Sequence, residues 1–200
     1  MGLSLDYNYL DGQSPLDEEE KAELKIKSIS TREELDEFEQ QNIETAMEWL
    51  LNQNISANRL LTEKFVKDLH RQMFGSVWGW AGRFRQSNKN IGVDKAVIGV
   101  ELKKLLDNCF YWIENKTFPE EEIAIRLKHR LVSIHPFSNG NGRHSRLMAD
   151  AIMEKVFLKP SFSWGGVSVK TIDNNRLEYI RAVREADQED FKSLLKFAKS

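Results

Sequence analysis

Two amphipathic segments, Glu120 to Ile134 and Arg143 to Leu158, flank a stretch that neither can absorb: His135 to Arg146, reading HPFSNGNGRHSR. Pro136 lacks an N–H and restricts the residue before it, so the first helix must stop there. Gly140 and Gly142 permit the sharp backbone path of a turn and leave amide groups open to an approaching ligand. Apolar periodicity resumes at Leu147, so the loop opens a second helix. The N–H groups of a helix's first turn form a ready anion site. Arg143, His144 and Arg146 crowd that turn, where the helix dipole disfavours cations. A bound polyanion would reconcile the conflict, and Arg143 and Arg146, three apart, could share one polyphosphate.

The rest of the chain reads as helices. Thr31 and Glu34 form a capping box for a helix to about Asn52, with Leu35, Phe38, Ala46, Trp49 and Leu50 at helical spacing. Thr62 caps the next, whose stripe is Phe65, Val66, Leu69 and Met73 and whose end is Gly75; His70 beside that stripe reads as a structural histidine. Glu101 to Asn115 is amphipathic, and Cys109 within it is expected to fill core space. Further helices are expected near Asp173 to Ala186, capped by Asp173, and near Glu189 to Ala198. From Gly75 to Gly99 the periodicity breaks. Runs at Arg83 to Gln86 and Val93 to Val97 bracket Asn88, Lys89 and Asn90, which predicts a small hairpin. Residues 1–30 read as an arm anchored by Leu3, Leu5, Tyr7, Tyr9, Leu10 and Leu16, and residues 31–200 as one domain.

Charge excludes one class of partner. The chain has 29 lysines and arginines against 31 acidic residues, with no basic domain or stripe for duplex phosphates, so nucleic acid is not expected. No apolar run is long enough to span a membrane and no signal-like leader is present, which predicts a cytoplasmic protein.

The stretch from His135 to Arg146 resembles the signature of the Fic (Fido) family, H-P-F-x-[D/E]-G-N-[G/K]-R-x-x-R, at every fixed position except Asn139, which replaces an acidic residue. The resemblance extends to the arm with DGQSPLDEEE, to EFEQQNI and to RLEYIRAVREAD, and in layout the chain resembles compact bacterial Fic proteins labelled mobile mystery protein B. It implies an all-α, Fic-type helical domain with a small β-hairpin flap, in which Asn88, Lys89, Asn90, Ile91 and Gly92 hold the target polypeptide beside His135. The implied activity is transfer of AMP from ATP to a Ser, Thr or Tyr hydroxyl of a target protein.

Imidazole, with an ordinary pKa of about 6.5, can take the hydroxyl's proton near neutral pH, which assigns His135 as general base. Gly140, Asn141 and Gly142 would cradle the transferring phosphate, Asn141 alternatively holding the loop's shape. Arg143 and Arg146 would bind the β and γ phosphates. His144 has no role in the signature and is expected at the surface or just behind the site. Asn139 falls where the family ligates Mg²⁺ with a carboxylate; an amide oxygen can coordinate but carries no charge. A different nucleotidyl or phosphoryl transfer, or a nucleotide-binding module without turnover, stays open. The family's self-inhibiting S/T-x-x-x-E-G/N pattern is matched only in fragments at Glu34 and Glu44, so a separate antitoxin-like protein is the alternative source of restraint.

Overall fold

The computed structural model describes residues 16–166 and 172–200, and side chains from 177 onward in the last helix pair. The anchors Leu3, Leu5, Tyr7, Tyr9 and Leu10, and the side chain of Asp173, lie outside the described residues. The elements are α1 (Glu18–Ala22), α2 (Arg32–Leu51), α3 (Ala57–Leu60), α4 (Glu63–Phe74), a 3₁₀ turn (Lys95–Val97), α5 (Ile98–Asn115), α6 (Glu120–Ile134), α7 (Asn141–Lys155), α8 (Ile172–Ala186) and α9 (Lys192–Ala198). The fold is all-α. Among the described residues the only β pairing is an isolated antiparallel bridge between Leu24 and Trp78.

Local sequence explains most boundaries. Thr31 accepts from the Glu34 N–H while the Glu34 carboxylate accepts from the Thr31 N–H, the reciprocal cap expected for α2. Thr62 caps α4 through the Phe65 N–H, and Gly75 follows its last turn. Helix α7 begins two residues earlier than the apolar pattern suggests, because Gly140 at φ +76° turns the chain directly into it.

Helices α6 and α7 pack most extensively on each other and form the centre. Leu127, Leu131 and Ile134 of α6 and Met148, Ala149, Ala151 and Ile152 of α7 are buried, with α4 (Leu69, Met73, Phe74) and α5 (Leu102, Leu105, Leu106, Cys109) closing the core around them. Burial pushes the Cys109 thiol up to about 12, so it is inert filler. Ile125, Ala182, Ala186 and Leu194 form a second cluster beneath α8 and α9. No helix among the described residues is long and apolar enough to cross a membrane.

The segment expected as a β-hairpin is not one. Its two runs do not pair with each other: the Arg85 N–H donates to the Pro136 carbonyl at 3.0 Å, and the Val93 N–H to the Ile134 carbonyl at 3.3 Å. The ladder donors of the flap are spent on the loop on either side of His135. The space a cross-strand ladder would fill is taken by the Arg85 guanidinium, which donates to carbonyls of Ser87 and Val93. The arm is ordered where described: Leu16 and Leu24 are buried, and Trp80 Nε1 donates to the Glu20 carbonyl at 3.2 Å.

Leu69 is fully buried whereas Leu51 is exposed. Leu69→Ala should lower unfolding free energy by about 2–5 kcal/mol in urea titrations. Leu51→Ala should stay within about 0.5 kcal/mol of wild type.

Candidate active site

His135 caps the C-terminus of α6 in the left-handed region, at φ 55° and ψ 59°. A non-glycine residue rarely sits there, and the conformation persists because its surroundings hold it. Its N–H donates to the Leu131 carbonyl at 3.2 Å, and its own carbonyl accepts from Arg85 Nε at 2.7 Å. Gly92 of the flap passes so close that a Cβ there would lie 2.7 Å from the His135 Cβ. The residue is only 6% exposed. Burial first, and then the Arg85 charge, push its imidazole down to about 4, against the opposing hydrogen bond to the Val132 carbonyl. It is therefore neutral at pH 7 and able to accept a proton.

Behind the loop lies a stack of rings. Phe137 is fully buried, stacked on His70 at 3.7 Å between ring centres and edge-on to His144 at 5.1 Å. His70 is structural, as its place beside the stripe suggests: Nδ1 accepts from the Gly82 N–H at 3.0 Å, so Nε2 carries the hydrogen donated to the Asn139 carbonyl at 3.1 Å. It ties the entry of the flap to the motif. His144, expected at the surface or just behind the site, is fully buried, with Nε2 donating to the Val66 carbonyl at 3.0 Å. Its position in the first turn of α7 faces it toward α4, where a neutral imidazole is tolerated and a charged one is not.

Asn141 holds the loop's shape. Its Oδ1 accepts from the Phe137 N–H at 3.0 Å and its Nδ2 donates to the Phe137 carbonyl at 2.8 Å. The Gly140 N–H is already taken by Asn139 Oδ1 at 2.6 Å. The open amides are those of Asn141, Gly142 and Arg143, which have no acceptor among the described residues, and α7 has no side-chain N-cap. A Cβ at Gly142 would meet nothing within 4 Å, so open space lies over this cradle. At Gly140 a Cβ would lie 2.5 Å from Phe74, which requires glycine there on contact grounds as well as conformation.

The two motif arginines are not brought together. Arg143 Nη1 pairs with Glu39 of α2 at 2.6 Å and its guanidinium lies 4.9 Å from the centre of the Phe74 ring. Arg146 instead lies over Tyr179 of α8 at 4.5 Å and 5.7 Å from the Trp164 ring. Glu39, 4% exposed, also accepts from Trp78 Nε1 at 2.6 Å. Sequence reasoning missed it, yet a signal was there: Leu35, Glu39 and Ile43 are spaced by four along the buried face of α2, so a carboxylate stands in an apolar stripe. The other missed group is Lys128, fully buried and donating to the Tyr179 hydroxyl at 2.6 Å behind Arg146. Glu34 is spent on the α2 cap and Glu44 on Gln40, and neither contacts the motif.

Asn139 is half-buried with its amide oxygen turned onto its own loop. No group of three or more His, Cys, Asp or Glu side chains among the described residues could hold a metal ion. The donors near the loop do not make a resident metal site.

Residues 60–153 match the Fic/DOC family. The sequence is 26% identical over 153 residues to the protein adenylyltransferase Fic of Aedes aegypti, a match covering 74% of this chain and 30% of that protein. A similar relative from Nematostella vectensis is 25% identical over 78% of this chain and 35% of its own length. The chain thus spans about a third of the curated relatives it matches. The fold is similar to that of BepC from Bartonella tribocorum with bound AMPPNP, at a TM-score of 0.67 and 16% identity, over 92% of this chain and 97% of that one.

The buried histidines link stability to pH. His70, His135 and His144 all have folded pKa values below the ordinary 6.5, in each case chiefly through burial, with His144 at about 3. Between about pH 6.5 and 4 the unfolded chain binds protons that the folded chain refuses, so their contribution is full above pH 6.5 and is lost as pH falls. Unfolding free energy from urea titrations should drop steadily from pH 7 to pH 5. A flat profile would contradict neutral buried imidazoles.

Proposed function

We propose that the chain is a protein adenylyltransferase that moves AMP from ATP to a Ser, Thr or Tyr hydroxyl of a target protein. The observation that carries this reading is the neutral imidazole of His135 at the end of α6, joined by one short loop to three unpaired amides at the start of α7. The target hydroxyl oxygen attacks the α-phosphorus and its proton passes to His135. The bond from the α-phosphorus to the bridging oxygen breaks, and pyrophosphate leaves with the electron pair.

The amides of Asn141, Gly142 and Arg143 meet the non-bridging oxygens as charge gathers on them, preorganised donors of the kind that stabilise such transition states. Arg146, resting on Tyr179, is assigned to the distal phosphates. Arg143 reaches the nucleotide from its pair with Glu39, which offsets the unfavourable cation at the helix start when no phosphate is bound. Mg²⁺ enters as part of the nucleotide substrate. Asn139 offers it one neutral oxygen, and that weak donor is the observation favouring a second reading, another nucleotidyl or phosphoryl transfer at the same loop. ATP labelled separately at the α and γ phosphates distinguishes the two.

His135→Ala should abolish transfer while ATP affinity, measured by calorimetry, stays within a few fold, because the imidazole acts on the attacking hydroxyl. Labelling of a lysate by the variant at the wild-type rate would sink the assignment.

Asn139→Asp keeps one oxygen for the Gly140 N–H and replaces the amide nitrogen with a second, charged oxygen. Transfer should rise about tenfold, equivalent to ~1.4 kcal/mol of transition-state stabilisation. The Mg²⁺ concentration for half-maximal rate should fall. Without Mg²⁺ the new carboxylate repels the triphosphate, so ATP should bind the variant less well than wild type. Unchanged Mg²⁺ dependence in both binding and rate would mean that Asn139 does not face the metal.

A further inference from the structure

Helix α1 and the entry of the flap enclose a cavity of about 240 Å³ that the transfer chemistry leaves unused. Small-molecule pockets run to roughly 300–1,000 Å³, so this one suits a single side chain rather than a nucleotide. One wall is Ser138, a member of the motif three residues beyond His135. Ser138 is 3% exposed, and its hydroxyl has no hydrogen-bond partner among the described residues. That hydroxyl is not fully enclosed: it opens onto the cavity, where a polar group of a ligand can take the place of water.

The opposite wall states the charge of that ligand. Asp17, Glu19, Glu20 and Glu23 line it; among the described residues Arg83 pairs with Glu23, and Lys89 with Glu20. Asp17 stands 3.7 Å from the same lysine, and Glu19 makes no ion pair among the described residues. The cavity therefore carries a surplus of negative charge. Trp80 and Phe84 supply apolar and aromatic surface against which a long basic side chain can lay its stem or stack its guanidinium.

We propose that this cavity is a specificity pocket for an arginine or lysine side chain of the target protein, near the hydroxyl that receives AMP. The inference rests on the transferase reading for what happens to that hydroxyl. The placement is continuous: Gln86 and Ser87 line the cavity, and the same flap segment runs on to Gly92, which abuts His135. A polypeptide laid along the flap meets the acidic pocket and the imidazole in turn.

The test uses binding without nucleotide, which does not depend on catalysis. Three fluorescent peptides share one serine and differ at a neighbouring position, carrying arginine, the neutral isostere citrulline, or glutamate. By anisotropy the arginine peptide should bind wild type at least tenfold tighter than the citrulline peptide. Glu19→Lys, an exposed change that leaves the core alone, should bring that ratio to about one, and Ser138→Ala should reduce it. Equal affinity for the three peptides, or no detectable binding of the arginine peptide, overturns the pocket. The same peptides with labelled ATP separate the two readings. Selective binding without labelling upholds the pocket and removes the transferase assignment. Labelling of a serine regardless of its neighbour, with no binding preference, does the reverse.

Discussion

The guanidinium of Arg85 holds the site together. Only 2% exposed, it donates to the backbone carbonyls of His135, Ser87 and Val93, so one side chain fastens both limbs of the flap to the turn at His135. It stays charged because arginine does so even when burial lowers its pKa, and the planar fork of donors suits several carbonyls at once. Its charge also faces His135 and helps hold that imidazole neutral. Mechanical and electrostatic roles thus meet in a single residue.

Neutrality is the theme of the layer beneath. His70, Phe137 and His144 form a stack that supports the loop from inside, and each imidazole bonds to a backbone carbonyl rather than to a carboxylate. Charged groups are placed at the edges instead. Arg143 finds Glu39 on α2, and Arg146 lies on the ring of Tyr179, whose hydroxyl accepts from buried Lys128. Desolvation, and then the charge of Arg146, hold the Lys128 pKa well below its ordinary value. The conflict between a positive helix start and its arginines is met by one buried carboxylate and one aromatic face.

The departure at Asn139 fits this economy. Its oxygen caps the Gly140 N–H and its carbonyl takes the His70 hydrogen, so the residue serves the shape of the loop whatever it contributes to a metal. A carboxylate could make the same cap. The substitution therefore removes charge from the site without loosening the turn.

Much of this was legible in the chain itself. The caps at Thr31 and Thr62, the stop before Pro136 and the all-α class follow from local rules, because capping and periodicity are set by residues within a few positions of one another. The loop from His135 to Arg146 announced itself by breaking those rules. What the sequence could not decide was where long-range partners fall. The flap looked like a hairpin because its runs alternate as strands do, yet its donors pair with Ile134 and Pro136 some forty to fifty residues on, and Arg85 occupies the space between. Arg143 and Arg146 share a helical face, but Glu39 and Tyr179 draw them to different walls. Backbone periodicity fixes where a side chain starts; only the packing of distant helices decides where its charge finds a partner.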